Sequence, residues 1–119
     1  MTPREHAVRL DDIVEYIEKI GFAEEQLSKY EQSKRPDTAK YALMAFDAIL
    51  YSLLVIGEAV KSLDPDMKAR HKHIDWIAII GLRDILAHQY QSIEIATIKV
   101  IIGTQLQEVR EACLIEIGE

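Results

Sequence analysis

Apolar residues recur at helical spacing along almost the whole chain. The first helix that they predict begins at Pro3 and ends near Tyr30 and has one apolar stripe; the stripe contains Leu10, Ile13, Val14, Ile17, Ile20 and Leu27. Pro36 suits the first turn of a second helix, which is expected to end near Leu63. No stretch shows the sustained alternation or the Asn-Gly turns that are typical of strands. The pattern therefore predicts an all-α protein.

The second predicted helix is apolar on nearly every side. We expect such a helix to be covered on more than one face, either in the centre of the protein or in an interface between chains. Its polar side chains lie within about 40° of one direction on a helical wheel; they are Lys40, Asp47, Tyr51, Glu58 and Lys61. This line is interpreted either as the solvent-facing side or as the border of a polar cleft.

Two more helices are predicted in the second half of the chain. Asp75 can cap a third helix that runs from Trp76 to about His88, and Ser92 can cap a fourth that ends near Ile117. The segment before the third helix, residues 67–73, is predicted to be a basic linker. Because all connections are short, we expect an antiparallel bundle of four main helices that forms a single domain over residues 1–119.

Composition supports one globular domain. Hydrophobic residues make up 49% and charged residues 29% of the chain, a balance that can bury a core. Neither a signal peptide nor a membrane span is predicted, because polar residues interrupt the longest apolar stretch and acidic residues begin at Glu5. The single cysteine, Cys113, lies on the apolar face of the fourth helix, where we expect a buried and unreactive thiol. A reducing, cytoplasmic location suits this composition.

The net charge of −6 argues against a nucleic acid partner, because basic residues supply most of the affinity for phosphates. The distribution of the charge weakens this objection, since residues 32–90 contain eight basic and seven acidic side chains. Residues 67–73 hold three permanent cations and two histidines with no acid. This run is interpreted either as a solvated loop or as a patch that contacts phosphates.

One segment concentrates chemically capable side chains. The sequence contains no glycine-rich phosphate loop, no His-Glu-x-x-His and no Cys-x-x-Cys, and His71-x-His73 is a weak metal signal, so we predict neither a metal nor another cofactor. Near the end of the third predicted helix, however, four polar residues interrupt an apolar pattern; they are Arg83, Asp84, His88 and Tyr90.

These residue types suit metal-independent cleavage of an RNA phosphodiester. Histidine, with an ordinary pKa of about 6.5, exchanges protons near neutral pH, and arginine binds phosphoryl oxygens. Asp84 is placed to hydrogen-bond His88 at i,i+4, and small Ala87 leaves room for a substrate or a second backbone. Arg83 and His88 lie about 140° apart on one helix, an arrangement that a two-fold dimer would accommodate. Alternatively, Arg83 and Asp84 bridge neighbouring helices and His88 is merely a polar helix end.

The motif Arg83-x-x-x-x-His88-x-Tyr90 resembles the signature of the HepT-like toxins in the HEPN superfamily of helical ribonucleases. Two further segments agree: Ile56 to Lys61 resembles the family's Gly-Glu-Ala segment, and Asp75 to Arg83 resembles its lead into the motif. The resemblance covers roughly residues 39–90. It implies a HEPN-like fold.

The resemblance also implies a function and partners. It implies a homodimer whose facing motifs form a cleft that cleaves RNA (tRNA or mRNA) without a metal, with Arg83 and His88 as the catalytic pair and Asp84 in support. It further implies an antitoxin with a nucleotidyltransferase fold, which in some systems transfers AMP to the tyrosine of the motif, here Tyr90. Gln91 departs from the aromatic residue more often found after that tyrosine.

Two functions are therefore carried forward. The first is a toxin endoribonuclease of a toxin–antitoxin pair. The second is a non-catalytic helical module that binds a nucleotidyltransferase and positions its substrate. RNA cleavage that depends on His88 separates the two.

Overall fold

The computed structural model describes residues 1–89 and 94–118, and the all-α prediction is confirmed for them. The helices are α1 (Pro3–Gln32), α2 (Ala39–Lys61), α3 (Pro65–Arg70), α4 (Trp76–Gln89), α5 (Ile95–Ile101) and α6 (Gln107–Gly118). A 3-10 turn, Pro36–Thr38, precedes α2, and a π-helical turn, Ile102–Leu106, joins α5 to α6. The bundle thus has four long helical stretches and one short helix, α3.

Helix α1 begins at a capping box and runs along the core. The Thr2 hydroxyl accepts a hydrogen bond from the Glu5 backbone N–H, and the Glu5 carboxylate accepts one from the Thr2 N–H. One face is buried, as its apolar stripe predicts; the buried residues are Leu10, Ile13, Ile17, Ile20, Ala23 and Leu27. This face packs along α2 and against α6. Because six residues connect α1 to α2, the two helices are antiparallel.

Helix α2 occupies the centre of the bundle. It packs against α1 on one side and α4 on another, which confirms that more than one of its faces is covered. The stretch Pro36–Lys61 is also long and apolar enough to cross a membrane by length and composition, and 44% of that window is buried inside the protein. The core helix of a soluble protein satisfies the same test, so the finding is weak evidence for a membrane span.

The prediction of a basic linker over residues 67–73 is wrong for residues 67–70, which belong to α3, whereas residues 71–73 form a turn. The Asp64 carboxylate accepts a hydrogen bond of 3.0 Å from the Asp66 N–H, and Pro65 occupies the first turn. Met67 is fully buried, and the Trp76 indole N–H donates to the carbonyl of Lys68 at 3.0 Å. A helix of six residues is too short to show a hydrophobic period, which is why the pattern did not reveal it.

Two side chains of the basic run are held by one carboxylate of α6. The Arg70 guanidinium hydrogen-bonds both oxygens of Glu116, and His71 Nε2 lies 2.8 Å from Glu116 Oε2. The hydrogen bond from Arg70, and then that from His71, lowers the pKa of the Glu116 carboxyl, although its partial burial acts in the opposite direction. The run is therefore not a simple solvated loop, since these contacts tie α3 to the C-terminal helix. Lys72 remains exposed.

The last helix differs from the single continuous helix that was predicted. Ser92, its expected cap, lies outside the described residues, and the π-helical turn interrupts the stretch between α5 and α6. A π turn adds a residue to one helical turn, and sequence spacing alone does not show this. Cys113 is fully buried, and its burial raises the pKa of the thiol to about 12, so the predicted buried thiol is confirmed.

Candidate active site

Helix α4 presents the motif on its exposed side. Asp75 caps the helix as predicted, because its carboxylate accepts a 3.0 Å hydrogen bond from the Ala78 N–H. The apolar side of α4 is buried against the core through Ile79, Leu82 and Leu86. The helical repeat then directs the other side outward, and the residues exposed there are Arg83, Asp84, Ile85, Ala87 and His88.

Gly57 lets α4 approach α2 closely. A Cβ atom at this position would lie 3.3 Å from the carbonyl oxygen of Ile79 and 3.4 Å from the backbone N of Arg83. These distances are tight for a carbon and fall on backbone atoms, which cannot move without moving α4. The glycine therefore sets the spacing of the two helices at Arg83, and it brings the next residue of α2, Glu58, beside the motif.

Glu58 holds the guanidinium of Arg83 from the neighbouring helix. Arg83 Nε lies 2.8 Å from Glu58 Oε1, and Arg83 Nη1 lies 3.4 Å from Asp84 Oδ1. The side chains of Arg83 and Glu58 are 44% and 47% exposed, so a ligand has access to the pair. Among the residues that the structure describes, Nη2 has no partner. The guanidinium is thus oriented through Nε and keeps donors available for an anion.

Sequence reasoning does not pair Arg83 with Glu58. It places Glu58 on the polar line of the second helix, and it leaves open whether that line faces solvent or borders a cleft. At Glu58 the line borders the motif. The available signal is the Gly57-Glu58 pair itself, because a glycine inside a buried helix often marks a close approach of another backbone.

The structure does not show the predicted contact between Asp84 and His88. Both side chains are described and exposed, and no hydrogen bond joins them; the Asp84 carboxylate, 71% exposed, contacts Arg83 instead. Helical spacing permits an i,i+4 contact but does not require it when solvent competes for both groups. His88 stands five residues after Arg83, or about 7.5 Å farther along the helix axis.

A small pocket lies beside Ala87. It has a volume of about 270 Å³ and lies between α2 and α4; its lining comes from Asp47, Leu50, Tyr51, Leu54, Leu86 and Ala87. The predicted space at Ala87 is therefore present. Tyr90, the fourth residue of the motif, lies outside the described residues, so the structure says nothing about its position.

No metal centre is evident in the described part of the chain. Within residues 1–89 and 94–118, no three His, Cys, Asp or Glu side chains are grouped as metal ligands would be. His71 and His73, the pair considered from the sequence, have ring centroids 6.2 Å apart, and His71 is bonded to Glu116.

Comparison with known proteins identifies the class. The family model described as "Ribonuclease HepT-like" matches residues 9–114, nearly the whole chain. This chain belongs to the HepT-like family, as the resemblance around Arg83 and His88 predicted, and the helical HEPN-like fold agrees with it.

Relatives covering most of the chain carry ribonuclease names. Two are from Methanocaldococcus jannaschii: "Putative RNase MJ1216" is 30% identical over 93% of this chain and 86% of its own, and "Putative RNase MJ0125" is 30% identical over 93% and 90%. "Probable ribonuclease HepT" of Thermococcus cleftensis is 29% identical over 77% of each chain. No solved structure matches the chain.

Proposed function

We propose that this protein is a metal-independent endoribonuclease and the toxin of a toxin–antitoxin pair, with Arg83 and His88 as its catalytic residues. The observation that carries the proposal is the exposed pair formed by Arg83 of α4 and Glu58 of α2 in a chain of a ribonuclease family. Exposed His88 follows Arg83 on α4 by about 1.4 helical turns. Asp84, 3.4 Å from the guanidinium, supports the orientation of Arg83.

The proposed reaction uses the RNA's own nucleophile. The 2′-hydroxyl oxygen attacks the adjacent phosphorus, the bond from phosphorus to the 5′-oxygen breaks, and the products are a 2′,3′-cyclic phosphate and a 5′-hydroxyl. His88 either accepts the proton of the 2′-hydroxyl or donates one to the leaving 5′-oxygen, and water exchanges the other proton. Arg83 binds the phosphoryl oxygens through its free N–H groups as negative charge accumulates on them.

The active form in this proposal is a homodimer. Arg83 and His88 are five residues apart on α4, so they project from different sides of the helix, about 140° apart. Two facing copies of α4 would bring Arg83 of one protomer to His88 of the other. Large apolar side chains exposed on α2 and α4 support such an interface; Leu43 is 61% and Ile85 47% exposed.

The proposed control is an antitoxin with a nucleotidyltransferase fold, encoded with the toxin and acting in the cytoplasm. The antitoxin would transfer AMP from ATP to the hydroxyl of Tyr90 and release pyrophosphate, and the AMP would add bulk and negative charge at the motif. That charge would compete with RNA phosphate for Arg83. Mass spectrometry of the protein purified with and without its antitoxin tests this step, since one AMP on Tyr90 is the expected difference.

The decisive experiment is RNA cleavage by the purified, antitoxin-free protein in EDTA. We expect the wild type to cut tRNA or mRNA and to leave 2′,3′-cyclic phosphate ends, and His88→Ala to lose the activity. His73→Ala is the matched control, because His73 is also an exposed histidine but lies outside α4. Equal cleavage by the wild type and His88→Ala contradicts the proposal. Absence of cleavage by unmodified wild type, with retained antitoxin binding, favours the alternative function, a non-catalytic module that binds a nucleotidyltransferase.

A further inference from the structure

An aromatic groove lies between α1 and α2. Its volume is about 500 Å³, and its aromatic walls come from Tyr16, Phe22, Tyr30, Tyr41 and Tyr51. These include every tyrosine that the structure describes. The concentration is unusual for a chain with only 7% aromatic residues. We refer to this surface as the tyrosine groove.

The rings of the tyrosine groove are accessible and partly held in place. Phe22 is 66%, Tyr51 60% and Tyr41 42% exposed, although rings of this size are usually mostly buried. Tyr30 and Tyr41 pack against each other across the two helices, with ring centroids 5.6 Å apart and planes inclined by 33°. An exposed ring that already has a neighbour loses little freedom when a planar ligand stacks on it.

The charge around the groove favours an anionic ligand. The protein carries a net charge of −6, yet no Asp or Glu lines the groove. Lys19 Nζ lies 4.4 Å from the ring centroid of Tyr16, and Lys40 Nζ lies 5.4 Å from that of Tyr41. Lys19 also lies 3.6 Å from Glu15, an exposed pair whose attraction solvent weakens. Both ammonium groups therefore stand beside aromatic rings, and Lys19 also has one exposed acidic neighbour, Glu15.

The groove adjoins the pocket beside Ala87, because Tyr51 lines both. Tyr41 and Tyr51 are ten residues apart on α2, so the groove extends about 15 Å along this helix from the pocket. A flexible polymer that occupies the pocket beside Ala87, the residue before His88, would have a path along the groove.

We propose that the tyrosine groove binds single-stranded RNA on one side of the cleavage site. Bases stack on the tyrosine and Phe22 rings, and Lys19 and Lys40 attract the phosphates, which is how proteins bind single strands with little sequence preference. Paired bases cannot insert between these rings, so the substrate is an unpaired segment. This inference rests on the proposed ribonuclease function and specifies its substrate.

The test compares aromatic with aliphatic side chains at two positions of the groove. In a His88→Ala background, which keeps the RNA intact, Tyr41→Leu and Phe22→Leu preserve an apolar side chain but remove the aromatic face, whereas Tyr41→Phe keeps it. We expect the leucine variants to bind a 12-nucleotide single-stranded RNA at least about fivefold more weakly. Tyr41→Phe and the distant Ile77→Ala, an 84% exposed control, should bind like the parent.

The outcomes separate this inference from the proposed function. Unchanged affinity in the leucine variants, or equal weakening for a duplex of the same length, overturns the groove proposal. A change in sedimentation, or lost antitoxin binding without lost RNA binding, also overturns it and identifies the groove as a protein interface. The ribonuclease function is tested separately, by RNA cleavage with His88 in place. If the protein cuts RNA equally well with and without the leucine substitutions, the groove proposal is contradicted and the proposed ribonuclease function stands.

Discussion

Arg83 is oriented by a residue of another helix, and this makes Glu58 a positioning residue in the proposed mechanism. A guanidinium on a flexible side chain samples many directions, and a carboxylate at 2.8 Å from Nε selects one of them. The selected direction leaves Nη2 for a phosphoryl oxygen. Small errors in the placement of a charged group at a reacting centre are costly in rate, so the Glu58 contact is expected to affect turnover.

Glu58→Gln tests this role. We expect kcat for RNA cleavage to fall about tenfold with a small change in KM, because the neutral amide orients Arg83 less firmly. Stability should change by less than about 1 kcal/mol, since both side chains are nearly half exposed. Glu18→Gln is the control, because it removes the charge of an exposed carboxylate that lies 3.2 Å from Arg110, outside the motif. A Glu58→Gln enzyme as fast as wild type would show that Arg83 orients without help.

Two glycines show how helix packing decides the effect of the same substitution. Gly21 in α1 faces open space, because a Cβ atom added there would have no neighbour within 4 Å, whereas one added at Gly57 in α2 would meet the backbone of α4 at 3.3 Å. Alanine gains roughly 1 kcal/mol over glycine in a helix interior. At Gly57 this gain is offset by the cost of moving α2 and α4 apart to make room for the methyl group.

We therefore expect Gly21→Ala to raise the free energy of unfolding by about 0.5–1 kcal/mol, and Gly57→Ala to give no such gain. Gly57→Ala should also lower RNA cleavage, because the methyl group displaces the part of α4 that carries Arg83. Urea unfolding and initial cleavage rates measure the two effects. Equal stabilisation at both positions, with cleavage unchanged, would mean that the helices adapt freely at Gly57.

Hydrophobic spacing predicted the long helices because each buries a face against a neighbour over several turns. The stripe of α1 and the many-sided apolar pattern of α2 are of this kind, and both are confirmed. Helix α3 and the π turn were not predicted, because α3 has six residues and the π turn has five, too few to show a hydrophobic period. At the site, one-helix spacing identified Arg83 and His88 as candidates. It could not place Glu58 beside Arg83, which depends on how α2 and α4 pack.

At the scale of the whole molecule, Glu116 links stability to pH. Its carboxyl has a lower pKa in the folded protein than its ordinary value of 4.5, chiefly because Arg70 hydrogen-bonds it. A carboxyl whose pKa is lowered by folding stabilises the protein at pH values above its ordinary pKa. This contribution is lost as the pH falls through the pKa of the folded protein. The contacts with Arg70 and His71 therefore join α3 to α6 at neutral pH and weaken in acid.

Glu116→Gln is expected to unfold at lower urea concentration than wild type at pH 7. The difference should shrink as the pH falls below 4.5 towards about pH 3, because the wild type then loses its charged contact as well. Glu15→Gln, which removes an exposed pair with Lys19, is the control and should have little effect at either pH. A difference between wild type and Glu116→Gln that stays constant over this range would contradict the linkage.

The proposed dimer predicts that two inactive variants regain activity when they form mixed dimers. Arg83→Ala and His88→Ala homodimers should each be inactive, because every site lacks one catalytic residue. If Arg83 of one protomer acts with His88 of the other, a mixed dimer has one intact site and one that lacks both residues. Unfolding and refolding an equal mixture should then restore about a quarter of the wild-type rate, since half of the dimers are mixed and half of their sites are complete.

Sedimentation must show dimers in all three samples. Dimers that regain no activity on mixing would mean that Arg83 and His88 act within one protomer, and the cleft would then have to be assembled from α4 and the Glu58 face of α2 in a single chain.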